Sequence, residues 1–156
     1  IPGLIADVVL VIYGFLVLAS LSLVRSTLTL PGIAGFILTL GMAVDANVIT
    51  FERIKEEMGK GYSIDDSVEK GFENGLPAII DGNLTTLLIA AVLFSFGTGP
   101  VRGFAVTLSL GVMITMLTAI FITKLFMRFV ISTFHIKKEK LFWGGINDAK
   151  FESDTL

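Results

Sequence analysis

One acidic side chain, Asp45, lies near the end of an apolar run that covers residues 33–51. A run of this length with few charges is typical of a helix that crosses a membrane. A carboxylate inside such a helix costs about 3 kcal/mol on insertion scales, so it marks a functional site by default. A single intramembrane carboxyl group can take up and release a proton. We therefore predict that Asp45 is a proton-coupling residue, the alternative being a carboxyl group held by hydrogen bonds for structure alone.

Two further polar residues follow Asp45 on the same predicted helix. Glu52 comes seven residues later and shares its face, so a polar stripe runs from Asp45 towards water. Asn47 is rotated by about 200° from Asp45 and has to find a partner on another helix or on its own backbone. The residues predicted to support Asp45 are Asn47, Glu52, Arg53, Asp81, Asn83, Thr85, Thr115 and Thr118.

The supporting residues outside this helix come from the next two apolar segments. Asp81, Asn83 and Thr85 lie at the start of the third segment, where Asp81 is close enough to the interface that capping or snorkelling competes with a coupling role. The fourth segment carries small and polar residues at spacings of four, four and three, which place them on one face. These residues are Thr107, Gly111, Thr115 and Thr118. We expect this face to pack against Gly41 and Asp45; the alternative is that it only packs helices together.

The elements that position these residues are predicted to be helices, because open sheet edges cannot face lipid. We predict an all-α membrane protein with four transmembrane helices at about 4–24, 33–58, 76–96 and 102–131. Ser63 with Asp66 three residues later resembles a capping box, and apolar residues follow at helical spacing. This pattern predicts a short amphipathic cytoplasmic helix at about 63–74, lying on the membrane surface. Residues 1–131 would form the transmembrane domain and 132–156 a cytoplasmic C-terminal tail.

The distribution of basic residues predicts the orientation. Four of them, Arg53, Lys55, Lys60 and Lys70, lie between the second and third segments, and six more follow residue 123, whereas the opposite loops hold only Arg25 and Arg102. The positive-inside rule therefore puts the middle loop and the C-terminus in the cytoplasm. With four spans, the N-terminal end is cytoplasmic as well.

The composition excludes several classes of protein. Hydrophobic residues make up 53% of the 156 residues and charged residues 17%, against about 25% charged in soluble domains. The chain has no Cys and one His, so a disulfide framework is excluded and a His-based metal centre is not expected. Nothing resembles a nucleophile–base pair or a phosphate-binding loop, and a net charge of -2 gives no sign of nucleic-acid binding. We expect that the protein is not an enzyme and binds no cofactor, and that protons are its coupling ion.

Four sequence blocks, at 30–35, 43–57, 81–86 and 97–105, resemble the signature blocks of the SecD/SecF protein-export family within the RND superfamily. The likeness covers residues 30–130, and Gly82 departs from it where family members often carry Ala. It implies that the chain supplies the last four helices of an RND-type six-helix half, without the first two helices and the large extracytoplasmic domain between them. It also implies a multi-pass protein of a bacterial or archaeal cytoplasmic membrane.

The resemblance further implies a function. Asp45 matches the aspartate of the family's fourth helix, its proposed proton carrier, and the family uses the proton-motive force to assist preprotein translocation. The implied partners are SecF or a fused SecF half, the Sec translocon channel, the translocating preprotein and the lipid bilayer. Two alternatives stay open: a proton-driven RND small-molecule exporter, and a structural subunit of the translocon that transduces no energy.

Overall fold

The computed structural model describes residues 2–25 and 29–134, with side chains through residue 132. The elements are α1 (Pro2–Leu23), α2 (Leu30–Gly59), α3 (Ile64–Phe96), α4 (Gly99–Leu117), a π-turn (Thr118–Ile122) and α5 (Thr123–Phe134). α4, the π-turn and α5 follow one another without a break and form a single long rod. No strand occurs among the residues that the structure describes.

Within the described residues, four helical rods are long and apolar enough to cross a membrane, which confirms the predicted all-α membrane fold. The second and fourth begin earlier than predicted, at Leu30 and Gly99. In both, a proline lies in the first turn, where its missing N–H costs nothing. The N–H of Gly32 also donates a 3.3 Å hydrogen bond to the hydroxyl of Thr29, which caps α2.

The prediction of a separate amphipathic helix at 63–74 was wrong, because this segment is the first part of α3 and continues into the third span. Its start was predicted correctly: the N–H of Asp66 donates to the Ser63 hydroxyl at 3.2 Å. The prediction ended this helix at about residue 74 and began the third span at about 76, whereas the observed helix is continuous and contains Pro77. Proline removes one helical hydrogen bond, and packing can carry a helix through that loss. Here α3 packs along α2, with Gly71 directly against Ile54.

The paired ends of α2 and α3 form a hairpin that extends one end of the bundle. α2 ends after Gly59, and Gly61 adopts a φ of +86°, which favours glycine and closes the turn. α2 and α3 contain 30 and 33 residues, or about 45 and 50 Å of helix, so both exceed the roughly 30 Å hydrocarbon layer. The hairpin therefore projects beyond the membrane. Within the hairpin, the first part of α3 packs against α2 and does not lie flat on the membrane surface.

The centre of the bundle is built on small residues. α2 packs against α1, α3 and α4. A Cβ added to Gly111 of α4 would lie 2.7 Å from the Cβ of Thr39, and one added to Gly35 of α2 would lie 3.2 Å from the ring of Phe104. These contacts bring the helix backbones close together, as is usual in membrane bundles. An apolar cluster that includes Ile54, Val68 and Met127 fills the hairpin end.

The predicted boundary between a membrane domain at 1–131 and a tail at 132–156 falls inside α5, which extends to Phe134. From residue 135 onwards the predicted tail lies outside the described residues.

Candidate functional site

Asp45 lies near the middle of α2, about 22 Å along the helix from Leu30. Its side chain is exposed and lines a groove between α2 and α3 with a volume of about 120 Å³. The residues lining this groove are Met42, Asp45, Ala46 and Ile49 from α2, and Ala78, Ile79, Gly82 and Asn83 from α3. We call it the α2–α3 groove. The carboxyl group is thus open to whatever occupies or covers this side of the bundle.

The expectation that the threonine and glycine face of the fourth span packs against Gly41 and Asp45 was wrong. Gly41 is exposed, and a Cβ added to it would meet nothing within 4 Å. The face does pack on α2, but around Gly35 and Thr39. Because this packing stripe continues to Ala43, two residues and about 200° from Asp45, the carboxyl group has to point elsewhere.

Thr115 and Thr118 are buried within that packed face and do not reach the groove. Thr118 donates a 2.9 Å hydrogen bond to the carbonyl of Ile114 on its own helix. The Tyr13 hydroxyl of α1 lies near those of Thr39 of α2 and Thr115. The hydroxyls of Tyr13 and Thr115 are buried and make no hydrogen bond of normal geometry within the described part of the chain. Their arrangement agrees with the alternative that these threonines pack helices.

Asn47 is 3% exposed and points away from the groove. Its Oδ1 accepts a 2.9 Å hydrogen bond from the Thr123 hydroxyl, at the start of α5. The sequence left open whether Asn47 bonds to another helix or to its own backbone, and the structure shows a partner on another helix. The sequence analysis missed Thr123, because no sequence pattern predicts the π-turn that places it beside Asn47.

Asn83 is the second predicted residue that lines the groove. It is 5% exposed, and its Nδ2 donates a 2.7 Å hydrogen bond to the carbonyl of Ile79 one turn earlier. Its Oδ1 is buried and accepts no hydrogen bond from any described residue. A buried polar atom without a partner is uncommon in native structures and calls for an explanation.

The remaining predicted supporting residues lie outside the groove. Glu52 is exposed, and Arg53 forms a 2.7 Å ion pair with Glu56 on the hairpin surface. Asp81 and Thr85 are exposed, and the Thr85 hydroxyl donates to the Asp81 carbonyl at 2.9 Å. Of the nine predicted site residues, Asp45 and Asn83 are the two that the fold brings to one groove.

A buried carboxylate in the hairpin was missed by the sequence analysis. Glu57 is 4% exposed, and its Oε1 accepts hydrogen bonds from Lys60 at 2.6 Å and from Asn74 of α3 at 3.1 Å. The hydrogen bond to Glu57 raises the pKa of Lys60 above its ordinary value. The spacing of three residues between Glu57 and Lys60 was a signal that could have suggested the pair. This group joins the two arms of the hairpin and is distinct from the groove.

Residues 3–133 match the family described as "Protein export membrane protein SecD/SecF, C-terminal". Two similar relatives are each named "Protein translocase subunit SecD". The protein from Leptotrichia buccalis is 64% identical over 145 residues, covering 93% of this chain and 36% of the relative. The protein from Sebaldella termitidis is 56% identical over 142 residues, covering 91% of this chain and 35% of the relative. The chain thus spans about a third of the length of these relatives.

A solved structure has the same fold. The crystal structure of SecDF from Thermus thermophilus, described as a translocon-associated membrane protein, superposes with a TM-score of 0.83 at 42% sequence identity. The match covers 87% of this chain and 19% of that one. A SecDF structure in a super-membrane-facing form gives a TM-score of 0.81 at 43% identity.

Proposed function

This chain belongs to the SecD/SecF family of protein-export membrane proteins, and we propose that it is the part of a Sec export subunit in which the proton-motive force acts on a helix bundle. Asp45 is the proton-coupling residue in this proposal. The observation that carries it is the position of Asp45: a carboxyl group in the middle of an apolar helix, exposed and lining a groove. A group buried for structure alone would instead be enclosed and hydrogen-bonded.

The proposed coupling rests on the charge change at Asp45. A carboxylate that faces lipid or a partner helix is costly, whereas the protonated group costs much less. Protonation therefore changes which packing of α2 against its neighbours is favourable. One elementary charge crossing 100 mV releases about 2.3 kcal/mol, which shifts a two-state equilibrium about fifty-fold. This is enough energy to bias a conformational cycle.

The exposed side of α2 is the proposed contact with SecF or a fused SecF half. Asp45 is flanked there by exposed apolar side chains, among them Ile37, Val44 and Val48. Such a surface suits lipid and a packed membrane helix equally well, and a partner helix would enclose the carboxyl group. In the same proposal the whole subunit acts with the Sec translocon channel on a translocating preprotein.

The hairpin end of the bundle is proposed to face the cytoplasm of a bacterial or archaeal cell. Basic residues gather at that end, on the hairpin and on α5: Arg53, Lys55, Lys60, Lys70, Lys124 and Arg128. At the opposite end, Arg25 follows α1 and Arg102 lies near the start of α4. This asymmetry is the one that the positive-inside rule describes.

The test is Asp45→Asn in the full-length subunit with its partner, reconstituted into vesicles with the translocon. Asp7→Asn is the matched control, because Asp7 is an exposed carboxylate within α1. We expect the Asp45 variant to assemble normally and to lose the export that an imposed proton gradient drives, while the Asp7 variant keeps it. Undiminished gradient-driven export by the Asp45 variant would overturn the proposal and favour a purely structural subunit.

A further inference from the structure

The α2–α3 groove contains a hydrogen-bond acceptor that the described fold leaves unmet. Asn83 donates through Nδ2 to the carbonyl of Ile79 at 2.7 Å. Since a carbonyl can only accept, this bond fixes the orientation of the amide and keeps its Oδ1 away from Ile79. That oxygen is buried and has no donor among the described residues. A buried acceptor in this state favours any conformation that supplies a donor.

The side chains that line the groove offer one candidate donor. Apart from Asn83, six of the eight lining residues are apolar or glycine, and the remaining one is Asp45. A protonated carboxyl group carries one O–H donor, whereas the ionised group only accepts hydrogen bonds. The acceptor on α3 therefore favours one protonation state of the carboxyl group on α2.

The groove has room for the two helices to move together. Ala46 on one wall and Ala78 and Gly82 on the other are small. A Cβ added to Gly82 would meet nothing within 4 Å. A short shift of α3 towards α2, or a rotation of the Asp45 side chain, therefore meets no obstructing side chain at Gly82.

Other charged groups lie outside the groove. On the two helices that form it, Glu52 and Asp81 are exposed and do not line it. From α5, Lys124 lies in a neighbouring cleft together with Glu73 of α3 and pairs with Glu69 at 3.2 Å. On α1, Asp7 is exposed. Asp45 is the titratable group among the eight lining residues.

We propose that the protonated carboxyl group of Asp45 donates a hydrogen bond to Oδ1 of Asn83, which makes Asn83 a positioning residue for the coupling carboxyl group. Protonation closes the groove through this bond. Ionisation opens it, because a carboxylate oxygen and an amide oxygen are both acceptors and repel each other. The inference rests on the proposed function of Asp45 and adds the element that moves, which is α3 relative to α2.

The test is infrared difference spectroscopy of the full-length subunit with its partner in lipid vesicles, between a high and a low pH. The carbonyl stretch of protonated Asp45 is assigned by its absence in Asp45→Asn. Its frequency is then compared in Asn83→Leu, which removes the acceptor at similar size, and in Asn83→Ala, which removes it without adding bulk. Thr86→Val is the matched control, because the Thr86 hydroxyl donates at 3.0 Å to the carbonyl of Gly82 on its own helix.

Loss of a hydrogen bond raises the stretching frequency of a carboxylic acid. We expect the Asp45 band to move to higher frequency in both Asn83 variants and to stay in place in Thr86→Val. An Asp45 band at the same frequency in either folded Asn83 variant would overturn this inference while leaving the proposed function intact. If no pH-dependent band disappears in Asp45→Asn, then Asp45 does not titrate, and the proposed function fails together with the inference.

Discussion

The hydroxyl of Thr123 donates a 2.9 Å hydrogen bond to Oδ1 of Asn47, and this bond joins the last helix to the helix that carries Asp45. The preceding π-turn makes it possible. The backbone N–H of Thr123 bonds to the carbonyl of Thr118, five residues earlier, and its hydroxyl also lies 3.1 Å from that carbonyl. π-turns of this kind are rare and are often found at functional sites. Here the turn places the Thr123 hydroxyl against Asn47, which lies two residues after Asp45 on α2.

Replacing Thr123 by the isosteric valine should destabilise the bundle, because Oδ1 of Asn47 would be left buried without a donor. The expected loss is about 1–3 kcal/mol, the usual cost of an unsatisfied buried polar group. Thermal unfolding in detergent measures it. Thr85→Val is the control, since Thr85 is exposed and its hydroxyl donates to the carbonyl of Asp81 on its own helix. Equal midpoints for the two variants would contradict the prediction.

Two glycines of α3 should respond oppositely to alanine. A Cβ at Gly71 would lie 2.7 Å from the Cα of Ile54, so Gly71→Ala should force α2 and α3 apart. Overpacking of this kind costs about 1–3 kcal/mol. At Gly82 a Cβ meets nothing within 4 Å, and alanine should be neutral or raise stability by up to about 1 kcal/mol through its helix propensity. The unfolding midpoint of Gly71→Ala should lie below that of the unmodified protein, and the midpoint of Gly82→Ala should equal or exceed it; the reverse order would refute the predicted packing.

The four spans could be predicted from the sequence because length and hydropathy decide them. The direction in which Asp45 points could not, because the packed face of α2 is set by small side chains such as Gly35 and Thr39. Residues around most of α2 are apolar, so hydropathy does not distinguish its faces. α3 continues through Pro77 for a related reason: the close contact at Gly71 stabilises a helix that local propensity would end. Both errors arise where backbone proximity outweighs composition.

The ion pairs between α3 and α5 should contribute little, and their contribution should depend on salt. Glu69 pairs with Lys124 at 3.2 Å and with Arg128, and the three side chains are between 30% and 56% exposed. Exposed pairs contribute little and are screened by salt. Glu69→Gln should lower the unfolding midpoint slightly at low ionic strength and not at high ionic strength.

Glu57→Gln is the comparison for that measurement. Glu57 is buried, and its carboxylate accepts hydrogen bonds from Lys60 and Asn74. Because glutamine removes the charge that strengthens these bonds, the substitution should lower the midpoint more, and the effect should persist at high salt. A salt-independent effect at Glu69 would indicate that its pairs are enclosed in the assembled protein.

The orientation of the bundle can be tested with single cysteines, because the chain itself has none. In a full-length protein from which any other cysteine has been removed, cysteine at exposed Tyr62 of the hairpin should be protected in intact cells from a membrane-impermeant thiol reagent. Cysteine at Thr98, in the loop before α4, should be labelled. Labelling of the Tyr62 variant with protection of the Thr98 variant would invert the predicted topology.

Filling the α2–α3 groove should stop coupling without unfolding the protein. Gly82 lines the groove beside open space, so Gly82→Leu places an apolar side chain in it while leaving Asp45 chemically intact. We expect normal assembly and a loss of gradient-driven export by at least tenfold, because the helices can no longer approach each other. Gly14→Leu is the matched control, since a Cβ at Gly14 of α1 also meets nothing within 4 Å and Gly14 lies outside the groove. Export in proteoliposomes with an imposed pH gradient measures the effect. Full export by Gly82→Leu would show that the groove plays no part in coupling, even if Asp45 does.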